Sequence, residues 1–217
     1  MNKKVKVFLI FFLIILISFF LIQFVYKTIQ TGNNITKSSN DLIENILNIS
    51  SYEAQLEVTI NSNKTTNKYV LEQYYKSPSY SKQIVKEPAD LKNLEIIYNG
   101  NNLEIKNTNL GLSKIYENYT YLNENLLWLN YFLNNCNQNK YIVEEQNEEI
   151  IIKTNMEKFK CTGKLYISTK TDLPVKMEIL DNNNQNRIYI EYKEIKLNNI
   201  QENNIFAFKL ESIKIEV

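Results

Sequence analysis

Tyr52 to Ile60 reads Y-E-A-Q-L-E-V-T-I. Tyr52, Ala54, Leu56, Val58 and Ile60 alternate with Glu53, Gln55, Glu57 and Thr59, a period of two that turns one apolar face to a core and one polar face to water. The stretch therefore predicts a half-buried strand. The polar run Asn61 to Asn67 predicts a loop, and K-Y-V-L-E-Q-Y-Y-K, Lys68 to Lys76, a second strand rich in residues that suit a pleated surface. Together they form a hairpin, the seed of an antiparallel sheet.

Working outward, strands are expected at Tyr80 to Lys86, Leu94 to Tyr98 and Leu103 to Lys106, the last two joined around Asn99-Gly100, which tolerates the positive φ of a tight turn. Leu122 to Asn135 breaks the pattern: Leu126, Leu127, Leu129, Phe132 and Leu133 sit at helical spacing beside Trp128 and Tyr131. Strands resume at Tyr141 to Glu145, Glu149 to Thr154, Gly163 to Ser168, Val175 to Leu180 and Arg187 to Glu194. Before the first strand, S-S-N-D-L-I-E-N-I-L-N-I-S has the spacing of a short amphipathic helix capped by Ser38 or Ser39. The fold class is mainly β (α+β): a curved antiparallel sheet or open half-barrel of about nine or more strands, covered by a few helices.

The N-terminus is of another kind. Val7 to Tyr26, V-F-L-I-F-F-L-I-I-L-I-S-F-F-L-I-Q-F-V-Y, is apolar on every face and at ~1.5 Å per residue spans roughly 30 Å, the thickness of a bilayer core. Lys3, Lys4 and Lys6 precede it and Lys27 alone follows closely, so the positive-inside bias keeps the N-terminus in the cytoplasm. No small-x-small cleavage site lies between Phe19 and Thr31, and the first cysteine is Cys136, so an uncleaved anchor is expected and N-terminal lipidation is not. The expected organisation is a cytoplasmic tail at 1–6, a transmembrane signal anchor at 7–26, a stalk at 27–37 and an extracytoplasmic β domain at 38–217.

Composition narrows the chemistry. Among 217 residues there is no histidine, which removes the commonest general base and zinc ligand. Four scattered glycines, Gly32, Gly100, Gly111 and Gly163, build no phosphate-cradling loop. A net charge of +1 supplies no basic footprint for nucleic acid. The sequence thus points away from an enzyme, and no cofactor or metal is expected.

The order of a first helix, Y-E-A-Q-L-E-V-T-I and then Y-V-L-E-Q-Y-Y-K-S-P (Tyr69 to Pro78) resembles the LolA-like superfamily of lipoprotein carriers and lipid-binding proteins. K-L-Y-I-S-T-K-T-D-L-P-V-K-M-E-I-L-D (Lys164 to Asp181) is similar to that superfamily's strand, polar turn, Leu-Pro and strand, and Ile188 to Phe208 is similar to its closing strand and final Phe. The likeness covers about residues 40 to 208. Within the superfamily the chain looks most like the clostridial germination lipoproteins of the GerS family.

That resemblance implies a non-enzymatic partner of an N-acetylmuramoyl-L-alanine amidase of CwlD type, acting in formation of cortex muramic-δ-lactam and hence in germination. It would place the domain in the forespore intermembrane space. The superfamily's name implies an alternative: a carrier or binder of lipid or lipoprotein acyl chains. The departure is the N-terminus, where a membrane helix stands in place of a lipidated cysteine.

Three groups remain as candidates. Cys136 and Cys161 either close a disulfide loop of about 25 residues, contributing ~3 kcal/mol, or stay as two thiols. Glu144, Glu145, Glu148 and Glu149 flank a turn at Gln146-Asn147, where exposure withholds the raised pKa that a catalytic acid needs, so they read as a solvated turn. Tyr116, Tyr119 and Tyr121 are the candidate partner contacts, since tyrosine concentrates at interface hot spots, whereas Trp128 is expected in the core.

Overall fold

A computed structural model describes residues 39–119 and 125–208. The expected tail, membrane anchor and stalk lie outside them, and no helix among the described residues is long and apolar enough to cross a membrane. The chain divides into two compact units, Met1–Glu44 and Asn45–Val217. Residues 39–47 form a helix, α1, on which Leu42, Ile43 and Ile46 are buried at the expected three- and four-residue steps.

The second unit carries one open sheet of eleven strands: β1 (Ser51–Asn61), β2 (Thr66–Lys76), β3 (Tyr80–Glu87), β4 (Leu94–Asn99), β5 (Leu103–Asn107), β6 (Leu112–Tyr116), β7 (Tyr141–Gln146), β8 (Glu149–Met156), β9 (Cys161–Ser168), β10 (Pro174–Leu180) and β11 (Asn186–Leu197). Their order is β6-β5-β4-β3-β2-β1-β11-β10-β9-β8-β7, and every pair is antiparallel. Each half is a meander of adjacent hairpins. The halves meet where β1 pairs with β11, Val58 opposite Ile190, with a bulge between Gln55 and Leu56.

Period-two patterning decides which face is packed. On β1, Tyr52, Ala54, Leu56 and Val58 are buried, and the β2 partners of the first three, Tyr75, Gln73 and Leu71, are buried with them. The same face continues through Ile190 of β11, Met177 of β10, Leu165 of β9 and Ile152 of β8, which stand opposite one another in successive pairs and are each fully buried. A slip of one residue in any pair would put these side chains in water, so burial fixes the register.

Helix α2 (Leu129–Gln138) packs on β8 and lays Leu129, Phe132, Leu133 and Cys136 onto this face. Gly163 on β9 lets it approach: a Cβ there would meet the Phe132 ring at 2.9 Å and Met156 Cε at 2.7 Å. Trp128, the residue before the helix, is buried with its ring centroid 6.5 Å from that of Tyr52, which lies 5.6 Å from Tyr75. Such ring pairs add about 0.5–1.5 kcal/mol each beyond the area they bury.

Of the helix expected at Leu122 to Asn135, residues 122–124 lie outside the described residues; residues 125–128 are not helical, and α2 runs on past Asn135 to Gln138. Asn125 Oδ1 accepts the Leu127 amide at 2.9 Å, an Asx turn, and Trp128 is extended, so helical geometry starts only at Leu129. The eleven strands agree with an expectation of about nine or more, but one stands where no strand was expected: β6 pairs with β5. All five of its residues are exposed, so it carries no buried face for a periodicity to report.

The opposite face is charged. Lys86 pairs with Glu72 across β3 and β2 at 3.0 Å, and Glu95 on β4 lies between Lys82 on β3 at 3.0 Å and Lys106 on β5 at 3.7 Å. One apolar island interrupts this ladder. Residues 198–208 fold back over β2 to β4 and bury Ile200 and Phe206 against Ile97, flanked by Tyr74 and Tyr80. The return is pinned at the start of β1, where the Asn198 amide donates to Ser51 O at 2.7 Å and the Ile200 amide to Ser51 Oγ at 3.2 Å.

Turns explain part of the asparagine content. Seven described non-glycine residues have positive φ, and five are asparagine: Asn93, Asn118, Asn147, Asn184 and Asn198. A chain with four glycines places in left-handed turns the side chain that tolerates them best after glycine.

Candidate partner-binding surface

The sheet ends on β6 and β7, and both edge strands are exposed along their whole length. On the β6 side, the hairpin from β5 presents Leu110 and Leu112, 66% and 63% exposed, followed by Ile115 and Tyr116. The turn that lifts Leu110 is built by Asn107, whose Oδ1 accepts the Asn109 amide at 3.0 Å. Lys114 Nζ lies 4.9 Å above the Tyr116 ring, and Tyr119 meets the same ring at 6.2 Å between centroids. Tyr119 is held by its amide, which donates to Asn101 O at 2.9 Å.

Two of the three tyrosines expected as contacts, Tyr116 and Tyr119, are thus brought together; Tyr121 lies outside the described residues. Behind them Glu104 is 2% exposed, with Ser113 Oγ donating to its Oε1 at 2.9 Å and no partner on Oε2 among the described residues. No sequence signal singled it out, because an isolated Glu in a strand reads as solvent-facing.

The acidic turn is solvated and ion-paired, as its composition suggests. Glu144 pairs with Lys153 and Glu148 with Lys170, while Asn147 takes the positive φ of the two-residue turn. What the sequence reading did not register is the exposure of the strand leading into it: Tyr141, Ile142 and Val143 of β7 all face solvent. The signal available was three successive apolar residues without alternation.

Cys136 and Cys161 are both free thiols. Burial pushes the Cys136 thiol up to about 12, against a smaller lowering from its hydrogen bond with Thr154, and burial likewise raises Cys161. Neither has the depressed pKa of a nucleophile. On the packed face, Tyr52 Oη donates to Gln73 Oε1 at 3.3 Å, and Gln73 Nε2 donates to Gln83 Oε1 at 3.0 Å and Leu127 O at 3.3 Å. That chain ties α2's leading turn to β2 and β3, and burial raises the Tyr52 hydroxyl well above its ordinary pKa.

The described fold is an open antiparallel sheet with one face under a helix. Comparison with solved structures finds similar chains. A conserved protein from Thermus thermophilus matches at 10% identity over 80% of this chain and 96% of its own, with a TM-score of 0.52. GerS, in its complex with the CwlD amidase from Clostridioides difficile, matches at 27% identity over 73% of this chain and 93% of the other, with a TM-score of 0.46. A LolA superfamily protein from Nitrosomonas europaea matches at 13% identity over 78% and 97%, with a TM-score of 0.44. The chain belongs to the YdcC-like sporulation protein family, whose model matches residues 5–206. No curated protein matches it.

Proposed function

We propose that this chain is a non-enzymatic accessory protein, anchored in the membrane by residues 7–26 with its β domain outside, that binds and activates a cell-wall amidase of CwlD type during sporulation. Membership of a sporulation family over residues 5–206 carries the reading. The exposed Leu110, Leu112 and Tyr116, with the half-buried Tyr119 against the Tyr116 ring, supply a surface suited to a protein partner. GerS is seen in complex with the CwlD amidase, and it is this assembly that we extend to the present chain. Anchoring would raise the effective concentration of a partner held at the same membrane without adding a contact.

A carrier of acyl chains would instead need an apolar chamber under α2, where Phe132 and Met156 already meet over Gly163.

The test is genetic and chemical. Deleting the gene is expected to abolish muramic-δ-lactam in the spore cortex and to block germination, and the full-length chain in detergent is expected to co-purify with the amidase. Cortex with unaltered δ-lactam content would overturn the proposal.

A further inference from the structure

The two edges of the sheet are not equivalent. β6 carries Lys114 at its centre, a device that discourages edge pairing. β7 opens with Tyr141, Ile142 and Val143, all exposed, and Ile142 is 64% exposed; these β-branched and aromatic types favour an added strand.

Register says which backbone groups are on offer. The turn between β7 and β8 has two residues, Asn147 and Glu148, so the closing pair Gln146–Glu149 exchanges ladder bonds, as do Glu144–Ile151 and Ile142–Lys153. The amides and carbonyls of Tyr141, Val143 and Glu145 then point away from the sheet, and among the described residues no strand lies beyond β7. Charge selects the occupant. Glu144 is taken by Lys153 and Glu148 by Lys170, whereas the exposed Glu145 has no cation among the described residues.

We infer that β7 is a docking edge that takes an extended strand from a partner protein, one alternating apolar and basic residues, with a basic side chain beside Glu145. Main-chain bonds to Tyr141, Val143 and Glu145 hold the incoming strand; its apolar side chains meet Ile142 on one face of the pleat, and a basic one meets Glu145 on the other. The inference rests on the functional reading only in naming the amidase as the first partner to try.

The experiment uses the full-length chain in detergent with a short capped peptide alternating valine and lysine, read by hydrogen exchange and by binding isotherm. Slowed exchange at the amides of Tyr141, Val143 and Glu145 is expected. Val143→Pro removes an outward amide without touching a β8 ladder bond, so its thermal melt stays in place while peptide affinity falls about tenfold. Glu145→Lys weakens the lysine peptide and strengthens its glutamate counterpart. Protection at β6 instead, unchanged affinity in Val143→Pro, or protection of the same amides by self-association without peptide would each overturn the assignment. Run with the amidase, binding that survives Val143→Pro removes β7 as its dock and leaves the functional reading standing. Absent amidase binding, with the peptide still protecting β7, does the reverse.

Discussion

The two faces of the sheet are made by the same strands yet hold together by different physics. On the packed face, Tyr52, Leu56, Leu165, Met177 and Ile190 are fully buried beneath or beside α2, and loss of water from apolar surface supplies the stability, about 1.5–3 kcal/mol for each large side chain. On the charged face, Lys86–Glu72 and Lys82–Glu95–Lys106 are spaced across strands and remain in partial contact with solvent, where each pair contributes about 1 kcal/mol or less. One face therefore holds the fold, and the other keeps it in solution with its register marked by alternating charge. Changes at the charged face and at the strand edges are correspondingly cheap, which is where a partner site can sit without unfolding the domain.

That contrast can be broken from either side. Phe132→Ala, which empties the space over Gly163, is expected to cost about 3–5 kcal/mol in urea unfolding of the full-length chain. A loss below about 1 kcal/mol would show that α2 is not part of the packed core. Gly163→Ala tests the same contact by overfilling. Met156 Cε can swing away from the new methyl but the Phe132 ring must move with its helix, so a loss of about 1–3 kcal/mol is expected by thermal melt. Glu95→Ala should be the mildest, about 1 kcal/mol, because it leaves Lys82 and Lys106 facing each other on a partly solvated surface. Its deficit should narrow in high salt, which screens that repulsion; a deficit as large as that of Phe132→Ala would erase the distinction between the faces.

Much of the sheet was legible because burial leaves a period in the sequence. Where one face of a strand is packed, as on β1, apolar residues recur every second position and the strand can be read directly. β6 was not legible, since its strand state comes from pairing with β5 while both its faces meet water. The start of α2 was misplaced because Leu126 and Leu127 have helical spacing while the Asn125 side chain holds the backbone in a turn. Gln73 was hidden for the converse reason: a polar residue at a packed-face position reads as an interruption, yet Tyr52, Gln83 and Leu127 O satisfy it. At the candidate surface, Tyr116 and Tyr119 were visible as aromatics in a polar stretch. The edge of β7 was not, because sequence shows which side chains are apolar and not which backbone groups lack a neighbour.

The pairing of β1 with β11 has a consequence for how the domain is made. Tyr52 stands opposite Leu197, so the strand at the heart of the sheet is among the first to be synthesised and the one that flanks it is the last. Until Asn186–Leu197 has left the ribosome and, on the proposed topology, crossed the membrane, β1 is itself a raw border, and the chain must wait through the slow closure of a long loop before its middle is sealed. On that topology, export and completion of the fold are bound into one event.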